Sequence, residues 1–122
     1  MRILLVDDCK DTVDSLAILL GLWGHEVRPA YDGAQALAAA SDFKPEVVFL
    51  DLLLPRLNGY QVARELRRLA GAGDMTVIAV TGYAGSDDFA RGAEVGFDRR
   101  LVKPIVVEEL AHLLEECAAT RA

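Results

Sequence analysis

The sequence predicts a doubly wound α/β domain built on one parallel five-stranded sheet, and three observations carry that prediction. Four short, largely apolar blocks, residues 2–6, 46–50, 76–80 and 99–102, run continuously rather than alternating, as strands covered on both faces do. Each is followed by a stretch with helical spacing, the order that yields parallel strands joined by right-handed crossovers. Polar residues able to do chemistry end the blocks: Asp7-Asp8 after the first, Asp51 after the second, Thr81 after the third and Lys103-Pro104 after the last. The carboxyl ends of parallel strands share one edge, where open α/β sheets bind ligands.

The elements follow in order. After the first strand, Val13, Leu16, Ala17, Leu19, Leu20 and Trp23 recur at helical spacing over 10–22, with Asp11 and Asp14 expected to face water and favour the helix start. Residues 25–30 read as a shorter, more polar strand near an edge, because Pro29 has no N–H for a ladder. An Ala-rich helix fills 33–40. Further helices open at Asn58 or Gly59 and run to about Leu69, run from the cap Ser86 to about Val95, and run from Val106 to about Cys117. Gly71-Ala72-Gly73 follows a helix and precedes a strand, the wrong context for a dinucleotide turn, and reads as a helix end and loop.

At 122 residues the chain has the length of one domain, and no separate output domain is expected beside it. A content of 52% hydrophobic and 26% charged residues is that of a globular chain. The net charge of −6 argues against direct nucleic-acid binding, which needs clustered Lys and Arg. No apolar run approaches the ~20 residues of a membrane span, and Met1-Arg2 leads into no signal peptide. A cytoplasmic location is the expectation. Cys9 and Cys117 have no metal-type spacing and are expected to stay unpaired thiols.

Asp7, Asp8 and Asp51 at one sheet edge would repel one another, so a cation belongs between them. A hard divalent ion such as Mg²⁺, which accepts one or two carboxylates, a carbonyl and waters, suits that donor set. With Lys103 opposite and Thr81 as a hydroxyl donor, the edge complements a phosphoryl group, whose transfer depends on positioning and charge neutralisation. Asp51 is the candidate nucleophile, forming an aspartyl phosphate. Any one of these residues alone is as readily a helix cap or a solvated loop residue. Their joint register at four strand ends is not explained by capping.

Asp7-Asp8, Asp51 followed by Leu54-Pro55 and Asn58-Gly59, Thr81-Gly82 and Lys103-Pro104 together resemble the receiver domain of two-component response regulators, across essentially the whole chain. The resemblance implies the flavodoxin-like (βα)5 fold, strand order 2-1-3-4-5, with helices on both faces. It implies that Asp51 takes a phosphoryl group from a histidine kinase or histidine phosphotransfer protein. Asp8, Asp51 and the Leu53 carbonyl would hold Mg²⁺, with Asp7 acting through water. Lys103, before a cis Pro104, would pair with the phosphoryl oxygens, and Thr81 would swing in to bond them. A switch of this kind alters affinity for a downstream protein effector rather than turning over a metabolite. Limited self-phosphorylation and self-dephosphorylation are the only catalysis expected.

Two positions depart from the family pattern. Leu54 replaces a usual Met, a volume-conserving change. Arg100 stands where many receivers carry an aromatic ring that turns inward, and a guanidinium in an apolar slot carries a large desolvation cost. Arg100 is therefore expected to stay outward, to contact a partner or the rim of the phosphorylated site. Asp14-Ser15-Leu16-Ala17, Gly24-His25-Glu26-Val27 and Gly96-Phe97-Asp98 resemble receivers fused to hybrid histidine kinases as well as stand-alone ones. Two other functions compete. A phosphohydrolase with an aspartyl-phosphate intermediate usually has a second acid two residues after the nucleophile, where this chain has Leu53. A scaffold indifferent to phosphate would leave Asp51, Thr81 and Lys103 unexplained. His25 and His112 are expected away from the aspartates, Cys9 is read as a bystander, and Trp23 as core or a partly covered helix end. Leu53 and Tyr83, which flank the phosphoryl site in the family, are candidates for controlling water access or for loop packing, and Arg91 with Arg99 read first as a solvated face and second as a partner surface.

Overall fold

The computed structural model describes residues 1–51, 59–70, 75–81, 97–102 and 105–121. Five parallel strands, β1 (Arg2–Val6), β2 (Glu26–Ala30), β3 (Val47–Asp51), β4 (Thr76–Thr81) and β5 (Arg99–Val102), form one sheet in the order β2-β1-β3-β4-β5. Four helices are described: α1 (Lys10–Leu22), α2 (Gly33–Phe43), α3 (Gly59–Ala70) and α4 (Val107–Arg121). The helix expected over 86–95 lies outside the described residues.

Alternation along the strands explains why their sequences look uniformly apolar. Leu4, Val6, Val48 and Leu50 pack with Ala36 and Ala40 of α2 and Val62, Ala63 and Leu66 of α3. Ile3, Leu5, Val47 and Phe49 point the other way, onto Val13 and Leu20 of α1 and Leu110, Leu114 and Cys117 of α4. With a core on each face, neither parity of the strand residues is left for water. Pro29 sits in β2, at the edge of the sheet.

Element ends differ from the sequence expectation where tertiary contacts extend them. α2 continues past Ala40 through Ser41-Asp42-Phe43 because Phe43 is buried, Arg28 lies 4.7 Å over its ring and the same guanidinium bonds Asp42 at 2.9 Å. Lys44 then takes a left-handed conformation (φ 53°) and Pro45 follows, which together stop the helix. β3 runs one residue later than expected, so Asp51 is its last residue. β4 likewise includes Thr81, and α4 spans Val107–Arg121 rather than 106–117. Asp14 does not simply face water: it is half-buried and accepts a 3.0 Å hydrogen bond from the Tyr31 hydroxyl.

Opposite the aspartates, the amino-terminal edge is tied together by polar side chains. Asp98 accepts from Val77 N at 2.8 Å and from the Arg67 guanidinium, which also donates to the Met75 carbonyl. The end of α3, the start of β4 and the approach to β5 thus share one knot. Trp23, the α1 C-cap, is 37% exposed and with His25, Met1 and Leu114 lines an open groove beside α4. Burial, and then the amino-terminal ammonium 3.2 Å from Nδ1, lower the His25 pKa from its ordinary 6.5. A folded pKa below the unfolded one gives stability that is present above 6.5 and lost as pH falls through the folded value. Thermal melts between pH 7.5 and 5 are expected to show a drop in wild type that is shallower in His25→Gln; parallel curves would contradict this.

Candidate functional site

The sheet register brings the ends of β1, β3, β4 and β5 to one edge. Val6 pairs with Ala30 and Leu50, Asp51 pairs with Val80, and Thr81 pairs with Val102. Asp7 and Asp8 leave β1 one step beyond Val6, and Asp51 is the last residue of β3, the central strand. One carboxylate oxygen from each of Asp7, Asp8 and Asp51 lies within 4.8 Å of the others.

Local hydrogen bonds hold this loop. Asp7 N donates to the Ala30 carbonyl at 3.1 Å, which splints the loop to the end of β2. Cys9 N donates back to Asp7 Oδ1 at 3.0 Å, and the Cys9 carbonyl accepts from Val13 N at 3.1 Å as α1 begins. The Cys9 thiol is exposed and accepts from Thr12 Oγ1 at 3.1 Å. Asp7 and Asp51 are buried while Asp8 is exposed, and Asp7 and Asp51 both keep polar partners.

Two carboxylates at this separation repel by about 3 kcal/mol at an effective dielectric of about 20. The donor set is all hard oxygen. Oxygens around one octahedral ion at about 2.1 Å stand about 3 Å apart when adjacent and about 4 Å when opposite. The three carboxylate oxygens all lie within 4.8 Å of one another, an all-oxygen donor set of the kind a small divalent cation takes.

Of the residues singled out in the sequence, Asp7, Asp8 and Asp51 come together, and Thr81 reaches the same edge as the last residue of β4. Arg100 is an exposed residue of β5 paired with Ala79. Arg99 meets Glu116 of α4 at 3.5 Å, and His112 meets the same carboxylate at 2.9 Å. Leu53, Leu54, Pro55, Asn58, Gly82, Tyr83, Arg91, Lys103 and Pro104 lie outside the described residues. His25 and His112 are both remote from the aspartates, one before β2 and one on α4.

The model of the response regulator receiver domain matches residues 3–115. The chain belongs to the response regulator receiver family. This receiver is 40% identical over 109 residues to the transcriptional regulatory protein PrrA of Mycobacterium tuberculosis, a match covering 89% of this chain and 46% of that protein. It is 34% identical over 110 residues to protein PilG of Pseudomonas aeruginosa, covering 90% of this chain and 82% of PilG. The chemotaxis protein CheY4 of Vibrio cholerae has the same fold, with a TM-score of 0.90, 27% identity and coverage of 95% and 97%. The receiver spans about half the length of PrrA and of several other curated relatives.

As a receiver of two-component signalling, the chain is a signalling module with the five-stranded order the family resemblance implies. Among the described residues, no helix is long and apolar enough to cross a membrane. What sequence reasoning missed is the support behind the acidic loop. The Cys9–Asp7 bond was foreseeable from an aspartate two residues before a helix cap. The Tyr31–Asp14 contact joins residues 17 apart and has no local signal.

Proposed function

We propose that Asp51 is the phosphoacceptor of this receiver and that its phosphorylation switches a protein–protein interaction. The observation that carries the reading is the convergence of the Asp7, Asp8 and Asp51 carboxylates within 4.8 Å at the carboxyl edge of the sheet, with Asp51 on the central strand. Asp8, Asp51 and the Leu53 carbonyl would hold Mg²⁺, with Asp7 acting through water. Bound there, the ion supplies charge neutralisation for an incoming phosphoryl group.

The protein's own residues do the rest. An Asp51 carboxylate oxygen forms the bond to phosphorus while the donor's P–N bond breaks, and the donor imidazole takes up a proton. Lys103 and the Thr81 hydroxyl meet the phosphoryl oxygens. Asp7 and Asp8 repel any other anion from the rim when no cation is present. The donor class is a histidine kinase or histidine phosphotransfer protein, and the readout is a downstream protein effector. Arg100, exposed on β5, presents a charge where an inward aromatic would otherwise respond, so the readout passes through surface contacts.

The test is incubation with Mg²⁺ and acetyl phosphate, followed by intact mass and peptide mapping. One added phosphoryl group on the peptide containing Asp51 supports the proposal. No incorporation, or incorporation elsewhere, refutes it.

A further inference from the structure

We infer that Tyr31 and Asp14 form a clasp that sets the position of Asp8 and thereby the affinity of the acidic edge for Mg²⁺, an inference that rests on the metal site proposed above. Asp8 lies in a short crossing between β1, which is fixed in the sheet, and α1, which is not. Val13 and Leu20 of α1 are buried, and Leu16, Ala17 and Leu19 pack partly buried against the same core. From Leu20 to Lys10, the first residue of α1, is about 15 Å at about 1.5 Å per residue, so a tilt of about 4° moves the start of the helix by about 1 Å. Mg²⁺ requires near-ideal octahedral geometry at about 2.0–2.1 Å. A displacement of that size is enough to lose a ligand.

The Tyr31 hydroxyl donates to Asp14 Oδ1 at 3.0 Å, next to Val13 in the first turns of α1. Among the described residues it makes the one side-chain hydrogen bond from α1 to another part of the fold beyond its own cap. Tyr31 is itself held. Ala30, just before it, accepts the Asp7 N–H; Tyr31 N donates to Gln35 Oε1 at 2.9 Å; and Gln35 N donates to Asp32 Oδ1 at 2.8 Å. Those two bonds fix the turn into α2, with Asp32 as its N-cap. One backbone turn therefore grips Asp7 directly and α1 through the phenol, so both sides of Asp8 are referenced to the same point. The Asp14 contact also raises the Tyr31 pKa, consistent with a phenol held as donor.

Tyr31 is a positioning residue here and touches neither ion nor phosphate. Isothermal titration of MgCl2 at constant ionic strength tests it, with a thermal melt of each variant in metal-free buffer. Tyr31→Phe, which keeps the ring, is expected to weaken Mg²⁺ binding by about threefold to tenfold, less than the ~10–100-fold of a residue bonded directly to a ligand. Asp14→Ala should weaken it at least as much. Asp14→Asn, which still accepts from the phenol, should stay within about twofold of wild type, and Tyr31→Phe should add nothing to Asp14→Ala. Wild-type affinity in Tyr31→Phe, even with a lower melting temperature, overturns the clasp and leaves the metal site standing. Loss in Asp14→Asn equal to that in Asp14→Ala also overturns it, by assigning the effect to charge. Absence of Mg²⁺ binding in wild type overturns the metal site and the clasp together.

Discussion

Asp51→Asn is expected to reduce phosphoryl incorporation from acetyl phosphate to background and to remove most of the stabilisation that Mg²⁺ confers. The substitution preserves volume at a buried strand end, where Asp51 pairs with Val80, so the fold should persist. Its effect falls on chemistry. An amide oxygen carries no net charge, its lone pairs are delocalised, and it cannot form a stable acyl phosphate. The substitution also removes one of three anionic oxygen donors from the cluster within 4.8 Å that is proposed to hold Mg²⁺. An ion present at ten times its dissociation constant stabilises the native state by about 1.4 kcal/mol. For a domain of this length that is a shift of roughly 4–8 °C in Tm. Melts with and without Mg²⁺ should differ by this order in wild type and by much less in Asp51→Asn. A variant that still gains a phosphoryl group, on Asp7 or Asp8, would show that the nucleophile has been misassigned.

The fold is legible in the sequence because both faces of the sheet are covered. Ile3 and Leu5 serve one core while Leu4 and Val6 serve the other, and only a continuous apolar run satisfies both. The strand order is not written in any local pattern; it follows from the resemblance carried by Asp7-Asp8, Asp51, Thr81 and Lys103. Asp51 is legible as a polar residue ending an apolar run, though its place within β3 depends on pairing with Val80. Less is legible where partners lie far apart in the chain. Ser41-Asp42 looks like a helix stop until Arg28 and the buried ring of Phe43 extend α2 across it. Asp98 looks like a loop aspartate until Arg67 and Val77 N meet its carboxylate. Asp14 looks solvated until Tyr31 reaches it. In each case a tertiary hydrogen bond overrides a local preference of comparable size.

Phe49→Ala is expected to cost about 3–5 kcal/mol, the largest loss of stability from a single side chain near the site. Phe49 is 3% exposed and lies on β3 between Leu5 of β1 and Ile78 of β4, in the core shared by α1 and α4. Its removal leaves a cavity bounded by strand backbone, which cannot collapse as a helix face can. Against a total stability of about 5–15 kcal/mol, that loss lowers the urea midpoint by roughly 2 M at an m-value of about 2 kcal/mol/M. Phe49→Leu should cost less than half as much. Strand alternation puts Phe49 on the same face as Asp51, two residues on, so the two substitutions separate scaffold from chemistry at adjacent positions. Phe49→Ala should lower the unfolding midpoint while its native fraction still accepts phosphoryl on Asp51; Asp51→Asn should keep the metal-free midpoint and accept none. If Phe49→Ala remains well folded but cannot be phosphorylated, the ring acts on the site itself, and its role as core packing alone is wrong.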